Sequence, residues 1–126
     1  MFDETLKSVA EKLVANCREE RVRAGLDELY AEDAVSVEAA AMEGGETPVA
    51  NGRKEIHAKH DWWESTMEMH SASTDGPYLH GSDRFAVIFE ADTTNRETGE
   101  RSQMKEVGIY TVSGGKIVRE EFYWAL

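Results

Sequence analysis

The strongest constraint on this chain lies in its last third. Residues 84–124 alternate between two kinds of side chain around two glycine-bearing turns. Arg96-Glu97-Thr98-Gly99-Glu100 forms one turn and Gly114-Gly115 the other, because glycine tolerates the positive φ of a tight hairpin. Folding at the first turn pairs Phe89 with Glu106, Val87 with Gly108 and Phe85 with Tyr110. The second turn then sets Tyr110 opposite Arg119, Gly108 opposite Glu121 and Glu106 opposite Tyr123. Directly opposed residues share a face. One face therefore carries Phe85, Val87, Phe89, Met104, Glu106, Tyr110, Arg119, Glu121 and Tyr123. The other carries Ala86, Ile88, Val107, Ile109, Val118, Phe122 and Trp124. The first mixes aromatic and ionisable groups, as the wall of a small-molecule pocket does. The alternation alone does not say which face the rest of the chain covers.

Upstream, the spacing changes to helical. Phe2, Leu6, Val9, Leu13 and Cys17 recur every three to four residues, predicting a helix over 2–17. A second helix is expected over 19–31, with Val22, Leu26, Leu29 and Tyr30 on its apolar side. Residues 34–38 alternate like a strand, and 43–49 read as a loop. Asn51-Gly52 opens a third helix over about 53–66. A strand begins near Met67, runs through His70, is interrupted by Thr74-Asp75-Gly76-Pro77 and continues to His80. Helices gathered before an antiparallel sheet give an α+β domain, and 126 residues suit a single one.

Composition narrows the partners. Twenty-five acidic and 14 basic residues give a net charge of −11, which repels nucleic acid and anionic lipid. One cysteine forms no internal disulfide. The N-terminus lacks the basic-then-apolar pattern of a signal peptide, and no stretch reaches the ~20 apolar residues of a membrane span. A cytoplasmic protein is the expectation. No phosphate-binding loop, dinucleotide fingerprint, nucleophile elbow or metal-ligand motif is present, so any chemistry is expected to need neither cofactor nor metal.

Four stretches resemble the nuclear transport factor 2-like superfamily, in its SnoaL-like branch. These are Leu29-Tyr30-Ala31-Glu32-Asp33-Ala34-Val35, Gly52 with Glu55-Ile56, Gly81-Ser82-Asp83-Arg84-Phe85-Ala86-Val87, and Gly115-Lys116-Ile117-Val118. Their order spans nearly the whole chain. The resemblance implies a cone, in which a curved antiparallel sheet wraps around helices and encloses a mainly apolar cavity. It also implies an outer sheet face that forms a homodimer, and members that are cyclases, isomerases, dehydratases or binding proteins.

The resemblance further places a catalytic histidine at His70, with Glu19 as the nearest match to its carboxylate partner. Such a partner fixes the imidazole tautomer and raises its basicity. Counting by twos puts His70 on the mixed face unless a bulge intervenes, since one extra residue reverses the facing. On that face two arrangements are open: Glu106 as a general acid or base with Tyr110 donating to a substrate oxygen, or a buried Arg119 paired with Glu121 or Glu106 that satisfies charge and binds nothing. Arg119, Glu121, Tyr123, Phe89, His60 and Trp63 complete the expected lining, Trp63 being the cavity-facing member of the Trp62-Trp63 pair. Three readings follow. One is an isomerase, cyclase or lyase working by proton transfer; the others are a hydrophobic-ligand binder and a structural dimer whose own side chains fill the cavity.

Overall fold

The computed structural model describes residues 4–41 and 45–125. Its elements run α1 (Glu4–Arg18), α2 (Val22–Leu29), β1 (Tyr30–Val37), β2 (Val49–Asn51), α3 (Gly52–Thr66), β3 (Met67–His80), β4 (Arg84–Asn95), β5 (Arg101–Ser113) and β6 (Lys116–Tyr123). This is the expected α+β order. The second helix is shorter than expected, ending at Leu29 where Tyr30 turns extended to open β1. Phe2 and part of the expected 43–49 loop lie outside the described residues.

All six strands join one curved, unclosed sheet in the order β2-β1-β6-β5-β4-β3. The expected antiparallel run β3–β6 is present, and β1 joins it by lying parallel to β6. The helices cover one face. α1 supplies Leu6, Val9, Ala10, Leu13 and Val14, α2 supplies Leu26 and Leu29, and α3 supplies Ile56. These close on Phe85, Val87, Tyr110, Val112 and Ile117 of the sheet. Burying a side chain of this kind contributes roughly 1.5–3 kcal/mol, which holds the helices to this face.

The first hairpin has the expected register: Phe85↔Tyr110, Val87↔Gly108, Phe89↔Glu106. The second does not. Gly114 and Gly115, at φ 60° and 79°, make the two-residue turn that pairs Val112 with Ile117. The next pair is Thr111↔Arg119, so Val118 is an extra residue in β6. Beyond this bulge the pairs are Tyr110↔Glu120, Gly108↔Phe122 and Val107↔Tyr123. One inserted residue turns every later side chain to the opposite face. Glu120 and Phe122 therefore face the helices, while Arg119, Glu121 and Tyr123 face away.

β3 departs in the same way. Met69 pairs with Thr93 and Ser71 with Asp92, which leaves His70 itself as the bulged residue. A second shift lies between Asp75 and Tyr78, at the expected Gly76-Pro77 interruption. Tyr78 pairs with Ala86 and His80 with Arg84, so both sit on the outer face.

Gly108 is needed for a packing reason. A methyl there would lie 2.9 Å from the Tyr110 ring and 3.2 Å from both Phe122 and Phe89. Three inner-face rings use the space its missing side chain leaves. Gly108→Ala is expected to destabilise the chain by about 1–3 kcal/mol through overpacking, read as a lower urea midpoint at unchanged m-value. An unchanged midpoint would contradict this packing.

Candidate functional site

The face covered by helices carries a polar cluster in an otherwise apolar interior. Its deepest member is Glu120 of β6, at 2% exposure. The Tyr30 hydroxyl donates to Glu120 Oε2. Tyr30 reaches it because the parallel pairing of β1 with β6 sets Ser36 opposite Glu120 and Tyr30 opposite Ile117. Burial raises the pKa of Glu120, opposed by the Tyr30 hydrogen bond and the Lys59 charge.

Lys59 comes from α3. Asn51 precedes that helix, and its N–H donates to Glu55 Oε1 at 3.1 Å, which satisfies a free donor at the helix start. A period of 3.6 then places Ile56, Lys59, Trp63 and Thr66 on one stripe. Ile56 and Thr66 are buried, so the stripe faces the sheet. The Lys59 ammonium donates to Ser36 Oγ at 2.7 Å and lies 2.9 Å from Glu38 Oε1 and 5.1 Å from the centre of the Phe122 ring. The Trp124 indole donates to Glu38 Oε2 at 3.1 Å.

Glu106 of β5 lies on the same face, between Phe89 across the first hairpin and Gly108 along its own strand. Burial pushes its carboxyl up to about 7, helped by the charges of Glu38 and Glu120 and opposed by Lys59. No hydrogen bond from a described residue favours its charged form. Tyr110 stacks on Phe85 with ring centres 4.8 Å apart and meets Phe122 edge-on at 6.2 Å. Burial, then the Glu120 charge, raises its hydroxyl well above the ordinary range, so it stays a donor. Cys17 of α1 is pushed up to about 11 by burial and by Glu120.

Several expected site residues lie elsewhere. His70 is on the outer face, its Nε2 2.7 Å from Thr94 Oγ1 and its Nδ1 3.8 Å from Glu68. Glu19 is exposed and pairs with Arg21 at 2.9 Å. The expected dyad is therefore not assembled: the bulge at His70 turns the ring outward, and Glu19 is held at the end of α1. Arg119 and Tyr123 both donate to Glu121, at 2.8 and 3.1 Å, in an outer-face group whose hydrogen bonds hold Glu121 below its ordinary pKa. His60 is half-buried beside Lys59 in sequence, about 100° further round the helix. Burial, then the Lys59 charge, lowers it to about 4. Trp63 is half-buried on the Lys59 stripe. Phe89, Glu106 and Tyr110 share the inner face.

Glu120, Lys59, Glu38 and Tyr30 are not among the residues that the sequence pattern marks for this cluster. Lys59 was accessible through its spacing with Ile56, Trp63 and Thr66. Glu120 was not, because no residue type marks Val118 as a bulge. Two surface depressions lie away from this cluster. One, of about 360 Å³, is along α1 by Lys7, Glu11 and Lys12. The other, of about 680 Å³, is where Asp27, Arg53 and His57 meet.

Fold and cluster together define a class: a helix-covered curved sheet with ionisable groups on its inner wall. The chain belongs to the SnoaL-like domain family, whose profile matches residues 4–124. It is similar to a candidate SnoaL-like polyketide cyclase from Mesorhizobium loti, at 36% identity over 94% of this chain and 97% of that one, with a TM-score of 0.86. Two more distant structures share the fold. One is a candidate isomerase from Bacillus subtilis, at 22% identity, 97% and 87% coverage and TM-score 0.74. The other is a Mycobacterium tuberculosis protein in complex with estradiol-17β-hemisuccinate, at 19% identity, 97% and 95% coverage and TM-score 0.74. No curated protein matches the chain. Among the described residues no helix is long and apolar enough to cross a membrane.

The cluster has a consequence for stability. A carboxyl whose pKa rises on folding holds its proton more tightly in the folded chain. The stability this gives is full below the ordinary value of 4.5 and is lost as pH rises through about 7. Glu106→Gln should remove on the order of 2–3 kcal/mol of that loss, measured by urea unfolding between about pH 4 and about pH 8. Identical pH profiles for the variant and the parent chain would contradict the half-buried placement of Glu106.

Proposed function

We propose that the chain is a small-molecule pocket protein that moves a proton without a cofactor, as an isomerase, cyclase or lyase does, with Glu106 as the transferring group. One observation carries this reading. Glu106 is an unpartnered carboxyl on an aromatic inner wall, poised at about 7, where a general base is both ionised and basic enough to be effective. Tyr110, kept protonated by burial, supplies the hydroxyl for a substrate oxygen on which charge develops. Burial, then the charges of Glu38 and Glu120, holds Glu106 basic, and Lys59 limits the effect. The family resemblance supports the reaction class, and the estradiol hemisuccinate complex of the mycobacterial structure supports a small, partly apolar ligand.

The test is solvent deuterium exchange into a panel of cyclic ketones and enones, followed by proton NMR. Exchange α to the carbonyl should rise with pH through about 7, because the ionised carboxylate is the working form. Glu106→Gln should slow it by about 10²–10⁴-fold. Ligand binding without any Glu106-dependent exchange would favour the non-catalytic binder instead.

The outer face supports a homodimer as part of the same proposal. Ile88, Val107 and Ile109 are half-buried there and Tyr123 is 56% exposed, which leaves an apolar strip rimmed by charge. Phe122, expected on this strip, instead lies inside. Light scattering at micromolar concentration should give about twice 14.1 kDa, and Ile109→Glu should give the monomer mass. A monomeric parent chain would remove the dimer from the proposal.

A further inference from the structure

An unclosed sheet has two edges, and this one ends on β2 and β3. An edge strand carries a row of N–H and C=O groups that pair readily with another chain. β2 has three residues, too few to offer such a row. β3 has 14, and residues 68–73 are exposed along it. Its register breaks at His70 and again between Asp75 and Tyr78, and bulges spoil pairing at both places. Pro77 has no N–H to offer. What remains is Ser71-Ala72-Ser73-Thr74-Asp75, which pairs with β4 without a break. Before Asp75 this stretch holds no charge and no large side chain.

Arg18, the last residue of α1, reaches this stretch. Its Nε and Nη2 both donate to the Thr74 carbonyl oxygen, at 3.2 and 2.9 Å. That carbonyl therefore points away from β4. In an antiparallel ladder the backbone groups of alternate residues point to the same side, so Ala72 offers its N–H and C=O on the open side too. The guanidinium blocks the edge in two ways. It occupies the acceptor that an N–H of an added strand would use. It also sets a positive charge at the edge, and a two-fold pairing of β3 with β3 presents the same patch from both copies. Two guanidinium groups would then meet, and like charges repel.

We propose that the 71–75 edge of β3 is a strand-pairing surface for a second copy of this chain, and that Arg18 holds it closed. The edge lies in the plane of the sheet, apart from the outer-face strip of Ile88, Val107 and Ile109. A chain that used both surfaces would not close: each face-to-face dimer would present two open edges, and assembly would continue from them. The Arg18–Thr74 contact stops that growth at the edge.

Light scattering on Arg18→Ala tests it, both in the parent chain and combined with Ile109→Glu. Arg18 is exposed, so its truncation leaves the core untouched. In the Ile109→Glu background the mass should rise with concentration from 14.1 kDa toward twice that value. In the parent chain it should climb above the parent's own mass. Arg21→Ala is the control: it removes an equal charge from a neighbouring residue, one paired with Glu19, and should leave the mass unchanged. Amide hydrogen exchange on the associated form should show new protection at Ala72 and Thr74. An unchanged mass for Arg18→Ala in both backgrounds, equal association of Arg21→Ala, or association without protection at Ala72 and Thr74 would overturn the inference. The outcome is independent of Glu106 chemistry and of the outer-face dimer, since a monomeric parent would show the same step from one chain to two.

Discussion

One inserted residue, Val118, decides which side chains of β6 meet the helices. The tight turn at Gly114-Gly115 alone would put Arg119, Glu121 and Tyr123 on the covered face. With Val118 as an extra residue, Glu120 and Phe122 take those places. The energetics of the two arrangements differ. Arg119, Glu121 and Tyr123 bond to one another at the surface, where solvent screens them and burial asks nothing of them. Glu120 is buried, and a buried carboxyl persists only where donors and charge offset its lost hydration. Tyr30 and Lys59 supply that offset, and both depend on the bulge: Tyr30 and Ser36 sit in β1, aligned in parallel with the shifted strand.

The cluster holds more carboxyls than cations, and burial keeps protons on the surplus. Lys59 serves Ser36, Glu38 and the face of Phe122 at once, and Glu106 is left with burial and two like charges. Each raises its pKa. An interior arranged for stability alone would pair or replace that carboxyl, because apolar substitutes for buried charge are often as stable or more so. Local violations of packing logic concentrate at functional sites, and Glu106 and Glu120 are places where this chain departs from a plain core.

The resemblance to the SnoaL-like domain family was legible because the motif order depends on turns and helix starts, which residue types mark directly. The register of β4 on β5 was also legible, since the 96–100 turn joins strands that pair without irregularity. The face of β6 was not, because a bulge at a valine leaves no compositional trace. His70 failed for the same reason: it is the bulged residue of β3, while the visible signal at Gly76-Pro77 marked a different shift. Glu106, Tyr110 and Phe89 were placed together because they lie on the regular part of the sheet. Lys59 was hidden by its type, since a charged residue on a helix is usually read as solvated; its spacing with Ile56 and Trp63 says otherwise.

The claim on which everything else turns is that Glu106 is a carboxyl held near neutrality inside the curved sheet. Carbon-13 NMR titration of the glutamate side-chain carboxyls, with the Glu106 resonance assigned by its loss in Glu106→Gln, measures it directly. A midpoint near 7 is the expected result. A midpoint at the ordinary glutamate value of 4.5 would show Glu106 solvated, and would contradict both the cluster and the chemistry built on it.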